Sequence, residues 1–322
     1  YKRPYRNGGS ISGSLLGGSI HYEGISNNAR FTHLTGVRYR SNALVLNGLG
    51  VKGEYRPVFA DVQTYLTYNV TDVWEISFLG GISRNKFQLT PVSQKETAGS
   101  IGNTNTLLVF YEGQEETQFS TYLGALTSSY KPNENLEKKF ITSLFRTFEN
   151  ENFDILGQYQ FGQSDDDPTS ETAGEIINLS AVGSFLNHAR NSLDATVANA
   201  SHKGYLTLKN GDQLLWGAKA QYELINDDLR EWRYIDSAGY SLNHPADIVG
   251  YTDPDAQPYQ NIDLFEFSSA KNRVESFRFS GYTQYVKRIN RTKKIEVFDT
   301  LISSIQNISI AAGIRSNYWT YN

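Results

Sequence analysis

Between Tyr65 and Gly81 the chain reads YLTYNVTDVWEISFLGG, and on both sides of a short polar break its apolar residues fall at every second position. Leu66, Tyr68 and Val70 alternate with Thr67 and Asn69. After Thr71–Asp72, Trp74, Ile76 and Phe78 alternate with Glu75 and Ser77. A period of two belongs to a strand, so this is a hairpin with one apolar and one polar face. That apolar face has two destinations. A sandwich strand buries it in a core, whereas an outer-membrane strand presents it to lipid with aromatic rings at the water boundary.

The same alternation recurs along the chain and yields about twelve strand candidates. Ser10–Gly24 is glycine-rich. In RFTHLTGVRYR, Phe31, Val37 and Tyr39 share one face, while Arg30, Thr32, Arg38 and Arg40 share the other. Further candidates are Gln118–Pro132, Lys138–Phe148, Phe153–Gly162, Glu175–Leu186, Asn272–Arg288 and Asn307–Tyr321. Asn210–Gly211 is expected to form a type I′ turn, with positive φ at both centres, between arms at Arg190–Lys209 and Gln213–Leu224. No stretch holds a 3.6 period over three turns, so little helix is expected. DLREWRYI reads as one helical turn or a strand end.

Connectors are uneven. VTD, KPNENLE and NGD are tight, whereas Asn85–Glu116 and Tyr234–Lys271 read as long loops. Compact soluble domains avoid loops of ~20 structureless residues, but outer-membrane barrels pair short periplasmic turns with long external loops. Counted from VTD as a periplasmic turn, both long loops and Ser41–Val58 fall outside. QSDDDPTSETAG is the discord, a long link on the side expected to be short.

Composition narrows the classes. The 322 residues carry net charge −4, which supplies no basic footprint for nucleic acid. No apolar run reaches the ~18 residues of a transmembrane helix, a test that barrel strands escape because their lumen-facing residues dilute hydropathy. The chain has 21 Tyr and 17 Phe, an excess of rings suited to interfaces. It has no Cys, which removes disulfides and thiol chemistry. It also has no Met and opens YKRPYRNGGS without a signal segment, so it is expected not to be a complete translation product.

Chemistry-bearing motifs are sparse. His21, His33, His188, His202 and His244 have no metal spacing, and no G-x-S-x-G elbow is present. Asp165 and Asp167 in SDDDPTS resemble calcium ligands, but the distal acid of an EF-hand is missing and a solvated turn is the better reading. The glycines of SLLGGS have no following helix to cradle phosphate. Basic-rich KRINRTKK, Lys287–Lys294, reads as a solvated turn, with a lipid-phosphate contact as the alternative. No catalytic residue, cofactor or metal is expected, and the protein is read as not an enzyme.

VRYRSN, KGEYRPVFADVQTYLTYNVTDVWEISFLG, FYEGQEETQFSTYLGALTSSYKPN, HARNSLDATVANASHKG and AAGIRSNYW, in this order, resemble the TonB-dependent outer-membrane receptors of Bacteroidetes-type bacteria. The resemblance implies a 22-stranded antiparallel transmembrane β-barrel closed by a plug. It also implies uptake powered through the TonB complex, and outer-membrane lipid and lipopolysaccharide as surroundings. Residues 1–322 would be a partial barrel domain, roughly its N-terminal half, with 1–9 as the end of the plug-to-barrel linker. The plug that meets TonB is not in this chain.

These readings converge on an outer-membrane receptor that takes up an external nutrient ligand, whether small molecule, glycan or peptide. Phe110 and Tyr111 in the first long loop, and Tyr251 and Tyr259 in the second, are the candidate ligand contacts. Leu66, Tyr68, Trp74, Ile76 and Phe78 are expected to face lipid, with Trp74 near the periplasmic interface. Asp61, Gln63, Thr67, Glu75 and Ser77 are expected to face the lumen. The rival readings are a passive porin or structural barrel, whose first and last strands would pair, and a soluble secreted carbohydrate-binding β-protein.

Overall fold

A computed structural model describes residues 3–48, 53–100, 103–236, 264–297 and 300–321. The strands are β1 (Gly8–Ser14), β2 (Gly17–Ile25), β3 (Phe31–Ser41), β4 (Gly53–Tyr55), β5 (Val58–Thr71), β6 (Trp74–Pro91) and β7 (Gln94–Ser100). They continue with β8 (Asn103–Asn133), β9 (Leu136–Ser164), β10 (Ile176–Thr207), β11 (Gln213–Asp236), β12 (Leu264–Val297) and β13 (Thr300–Tyr321). One short helix, α1 (Ala43–Gly48), lies between β3 and β4. All thirteen strands form one antiparallel sheet, in the order β1-β2-β3-β5-β6-β8-β9-β10-β11-β12-β13, with β4 beside β6 and β7 beside β8.

The sheet is open. β1 pairs with β2 and β13 with β12, and the two edge strands do not pair with each other. No closed barrel forms from these strands alone.

Several expected boundaries move. Phe153–Gly162 is the upper half of β9, and Glu175–Leu186 and Arg190–Lys209 merge into β10. Long strands hide their unity because alternation weakens wherever both faces are polar. Asn85–Glu116 is not a loop: β6 runs on to Pro91, β7 follows, and β8 already begins at Asn103. DLREWRYI is the end of β11. KRINRTKK is not a turn but part of β12, paired along β13 from Lys287↔Ile310 to Lys294↔Ser303. In the expected loop at Tyr234–Lys271, β11 runs to Asp236 and β12 starts at Leu264; Tyr251 and Tyr259 lie outside the described residues.

With β9 and β10 each continuous, the discord over QSDDDPTSETAG disappears. The links 26–30, 72–73, 134–135 and 208–212 lie at one end of the sheet, and 42–57 and 165–175 lie at the other. The turn at 208–212 is also not type I′. Gly211 has φ 85°, but Asn210 keeps negative φ. Gly211 N–H donates to the Leu208 carbonyl at 2.9 Å, a turn centred on Lys209–Asn210 with glycine taking the left-handed position after it. Asn210 instead uses its side chain, donating to Asp212 Oδ2 at 2.7 Å.

Register decides which residues share a face, because directly opposed residues point the same way. Phe31↔Tyr68↔Ile76↔Ser128↔Phe140 and His33↔Leu66↔Phe78↔Leu126 are rows of one face. Thr32↔Thr67↔Ser77↔Thr127 and Arg38↔Asp61↔Ser83 are rows of the other. The expected partition of the opening hairpin therefore holds across its neighbours. Ile82, Phe140 and Leu144 on the apolar face are 57%, 52% and 53% exposed.

Among the described residues Ala189 is the single buried hydrophobic. The chain exposes 21395 Å², against about 13,400 Å² for a compact monomer of 36.2 kDa. A soluble domain hides its apolar faces between at least two packed layers. The described residues of this one form a single layer.

Candidate functional site on the polar face of the sheet

Across β3, β5 and β6, the polar face is stitched by short cross-strand contacts. Arg38 Nε donates to Asp61 Oδ2 at 2.8 Å across β3 and β5, and Thr32 and Thr67 share a hydrogen bond between their hydroxyls. Arg3 reaches Asn69 and Glu75 at 2.8 and 2.9 Å. These groups satisfy one another, which suits a wall that meets water.

Toward the end that holds the links 42–57 and 165–175, β8, β9 and β10 rise past the apolar band and the same face changes character. The rows Tyr111↔Gly157↔Phe185 and Val109↔Tyr159↔Gly183 set rings and glycines alternately on neighbouring strands. Phe185 on β10 lies over Gly157 on β9, and Tyr159 on β9 lies over Gly183 on β10; a Cβ on either glycine would collide with the ring above it. Tyr111 meets Phe185 edge-on, with centroids 6.4 Å apart at 69°. The two glycines leave room for the rings to reach across neighbouring strands, and Tyr111, Tyr159 and Phe185 gather there as an aromatic cluster that offers apolar contact with a polar tip. Below them, Asn191 Nδ2 donates to Glu151 and Glu231 at 3.0 Å each.

Of the four expected ligand contacts, Tyr111 joins this cluster. Phe110 does not: it is the preceding residue on β8 and points to the opposite face, paired with Gln158. Tyr251 and Tyr259 lie outside the described residues. Tyr159 and Phe185 were missed; the signal available was the pair of glycines in FDILGQYQFG and AVGSF, each two residues from an aromatic.

The acidic loop binds its own backbone. Asp165 accepts from Asp167 N–H at 3.0 Å and Thr172 hydroxyl at 2.7 Å, and Asp167 accepts from Thr169 N–H at 2.9 Å. Hydroxyl bonds from Ser170 and Thr172 hold the Asp165 carboxyl below its ordinary range, and bonds from Thr169 do the same for Asp167. Among the described residues no cluster of three or more His, Asp or Glu could hold a metal ion. His188 is bound to Asp154, which Arg190 also grips at 2.9 and 2.8 Å, and it stacks on Trp232 at 5.1 Å.

No known protein family and no curated protein matches this chain.

Proposed function

We propose that this chain is part of the wall of an outer-membrane β-barrel receptor that takes up an external nutrient ligand by TonB-dependent active transport. The observation that carries the membrane part is the bare apolar face of a one-layer sheet. On β9 that face is bracketed by Lys138 and Arg146, with Phe140 and Leu144 between them. Eight residues at ~3.3 Å each, tilted ~40°, give about 20 Å of height, and outward-reaching basic side chains bring it near the ~25 Å apolar band of such barrels. Trp74, Tyr130 and Trp216 fall in one row at the tight-turn edge, where an aromatic girdle belongs.

Strand length supports a large receptor over a small barrel. Crossing a bilayer takes ~9–11 residues, whereas β8, β9 and β10 have 31, 29 and 32. The excess carries the aromatic cluster of Tyr111, Tyr159 and Phe185 well clear of the band, where an external ligand first meets the wall. The open edges agree with a wall completed by further strands. Energised uptake rests on the resemblance quoted above, and the reading asks no covalent chemistry of any residue.

The test is partition of the purified protein between buffer and outer-membrane-lipid vesicles, followed by ligand uptake in cells with and without TonB. Stable monomer in detergent-free buffer would remove the membrane reading. Uptake that survives loss of TonB would leave a passive barrel.

A further inference from the structure

A recess of about 870 Å³ opens on the polar face between β9 and β13, at the height of the apolar band behind it. Its size is that of a small-molecule site. Lys203, Lys219 and Arg315 line it, and among the described residues no carboxylate does. Lys203 stands directly opposite Lys139 on β9, a like-charge pair that costs stability unless something neutralises it. Lys139 has Glu137 at 2.7 Å; among the described residues neither Lys203 nor Arg315 has an acidic partner. Lys219 donates to Gln221 at 2.6 Å, an amide that leaves its charge uncompensated.

The floor supplies the rest of the chemistry. Asn199 Nδ2 donates to Ser143 Oγ at 3.2 Å, while Asn199 Oδ1 is buried with no donor. A buried acceptor left without a donor is costly, and a turn of the amide that brings Oδ1 to a ligand hydroxyl in the recess would relieve it. Tyr282 lies over Gly217, where a Cβ would sit 2.5 Å from the ring. The ring therefore reaches across β11 and lines the recess beside the three cations.

We propose that this recess binds a small polyhydroxylated anion, a sugar carrying a phosphate or carboxylate. Lys203, Lys219 and Arg315 hold the anionic group, Asn199 accepts from a hydroxyl, and the sugar ring rests on Tyr282. Its place on an uptake route rests on the lumen reading above; binding itself does not.

Calorimetric titration of the protein folded in detergent micelles tests this, with glucose 6-phosphate and glucuronate as probes. Both should bind at least tenfold more tightly than glucose or inorganic phosphate, and more weakly as salt is raised. Lys203→Gln with Arg315→Gln should weaken binding at least tenfold with strand content unchanged by circular dichroism. Asn199→Ala should bring glucose 6-phosphate down toward inorganic phosphate. Salt-insensitive binding, equal binding of glucose, or no binding by the unaltered protein would overturn the proposal, whether or not any variant folds. Loss of binding with intact uptake sinks the recess alone, and intact binding without vesicle partition sinks the membrane reading alone.

Discussion

The indole of Trp216 on β11 lies across Gly204 on β10, and its Nε1–H donates to His202 Nε2 at 3.2 Å. Gly204 is the directly opposed residue, so the absence of a Cβ there is what lets the ring fold over the neighbouring strand. Gly204→Ala should therefore displace the indole and destabilise by about 1–3 kcal/mol, the usual cost of overpacking. Trp216 fluorescence checks it, and an unmoved emission maximum with unchanged stability would refute the contact.

Phe78 lies in the apolar row with Leu66 and Leu126, and Gln63 is exposed on the polar face. Phe78→Arg should cost about 2–4 kcal/mol in lipid vesicles, and Gln63→Arg less than ~1. Ser77 is a poorer control, because it is only 7% exposed between Thr67 and Thr127. Equal losses from Phe78→Arg and Gln63→Arg would end the lipid assignment of the apolar face.

Asp212 ties the turn at 208–212 to β12. It accepts a bond from the Tyr285 hydroxyl and, at 2.9 Å, one from Arg288 N–H. The Tyr285 bond first, then the Arg288 N–H, hold its carboxyl below the ordinary carboxylate range. A lowered folded pKa means stability that is present above the unfolded value near 3.9 and lost as pH falls through the folded one. Stability should thus drop below about pH 4, and Asp212→Asn should remove that part of the drop. Denaturant midpoints measured between pH 3 and 7 for both proteins decide it.

The links 42–57 and 165–175 emerge at one end of the sheet, and 72–73 and 208–212 at the other. Protease added to intact cells should cut within 165–175 and spare Thr71–Trp74 and Leu208–Asp212. Mass spectrometry of the fragments reads the result, and cuts confined to the tight turns would invert the proposed orientation.

Much of this was legible from residue pattern because it depends on neighbours in the chain. The period of two at Tyr65–Gly81 determined strands and the division of Leu66 and Phe78 from Thr67 and Ser77, since alternate side chains on a strand must oppose. Asn210–Gly211 marked a turn but not its type, because Asn210 kept negative φ and used its side chain on Asp212. Continuity across Glu149–Phe153 and Leu186–Arg190 was hidden, since polar residues on both faces erase the alternation that a ladder of backbone hydrogen bonds still sustains. Tertiary pairing alone decided that Phe185 meets Gly157 and Tyr111, that Lys203 faces Lys139, and that β1 and β13 stay apart. Those relations join residues tens to hundreds of positions apart, and register between strands is set by the whole sheet, not by any local stretch.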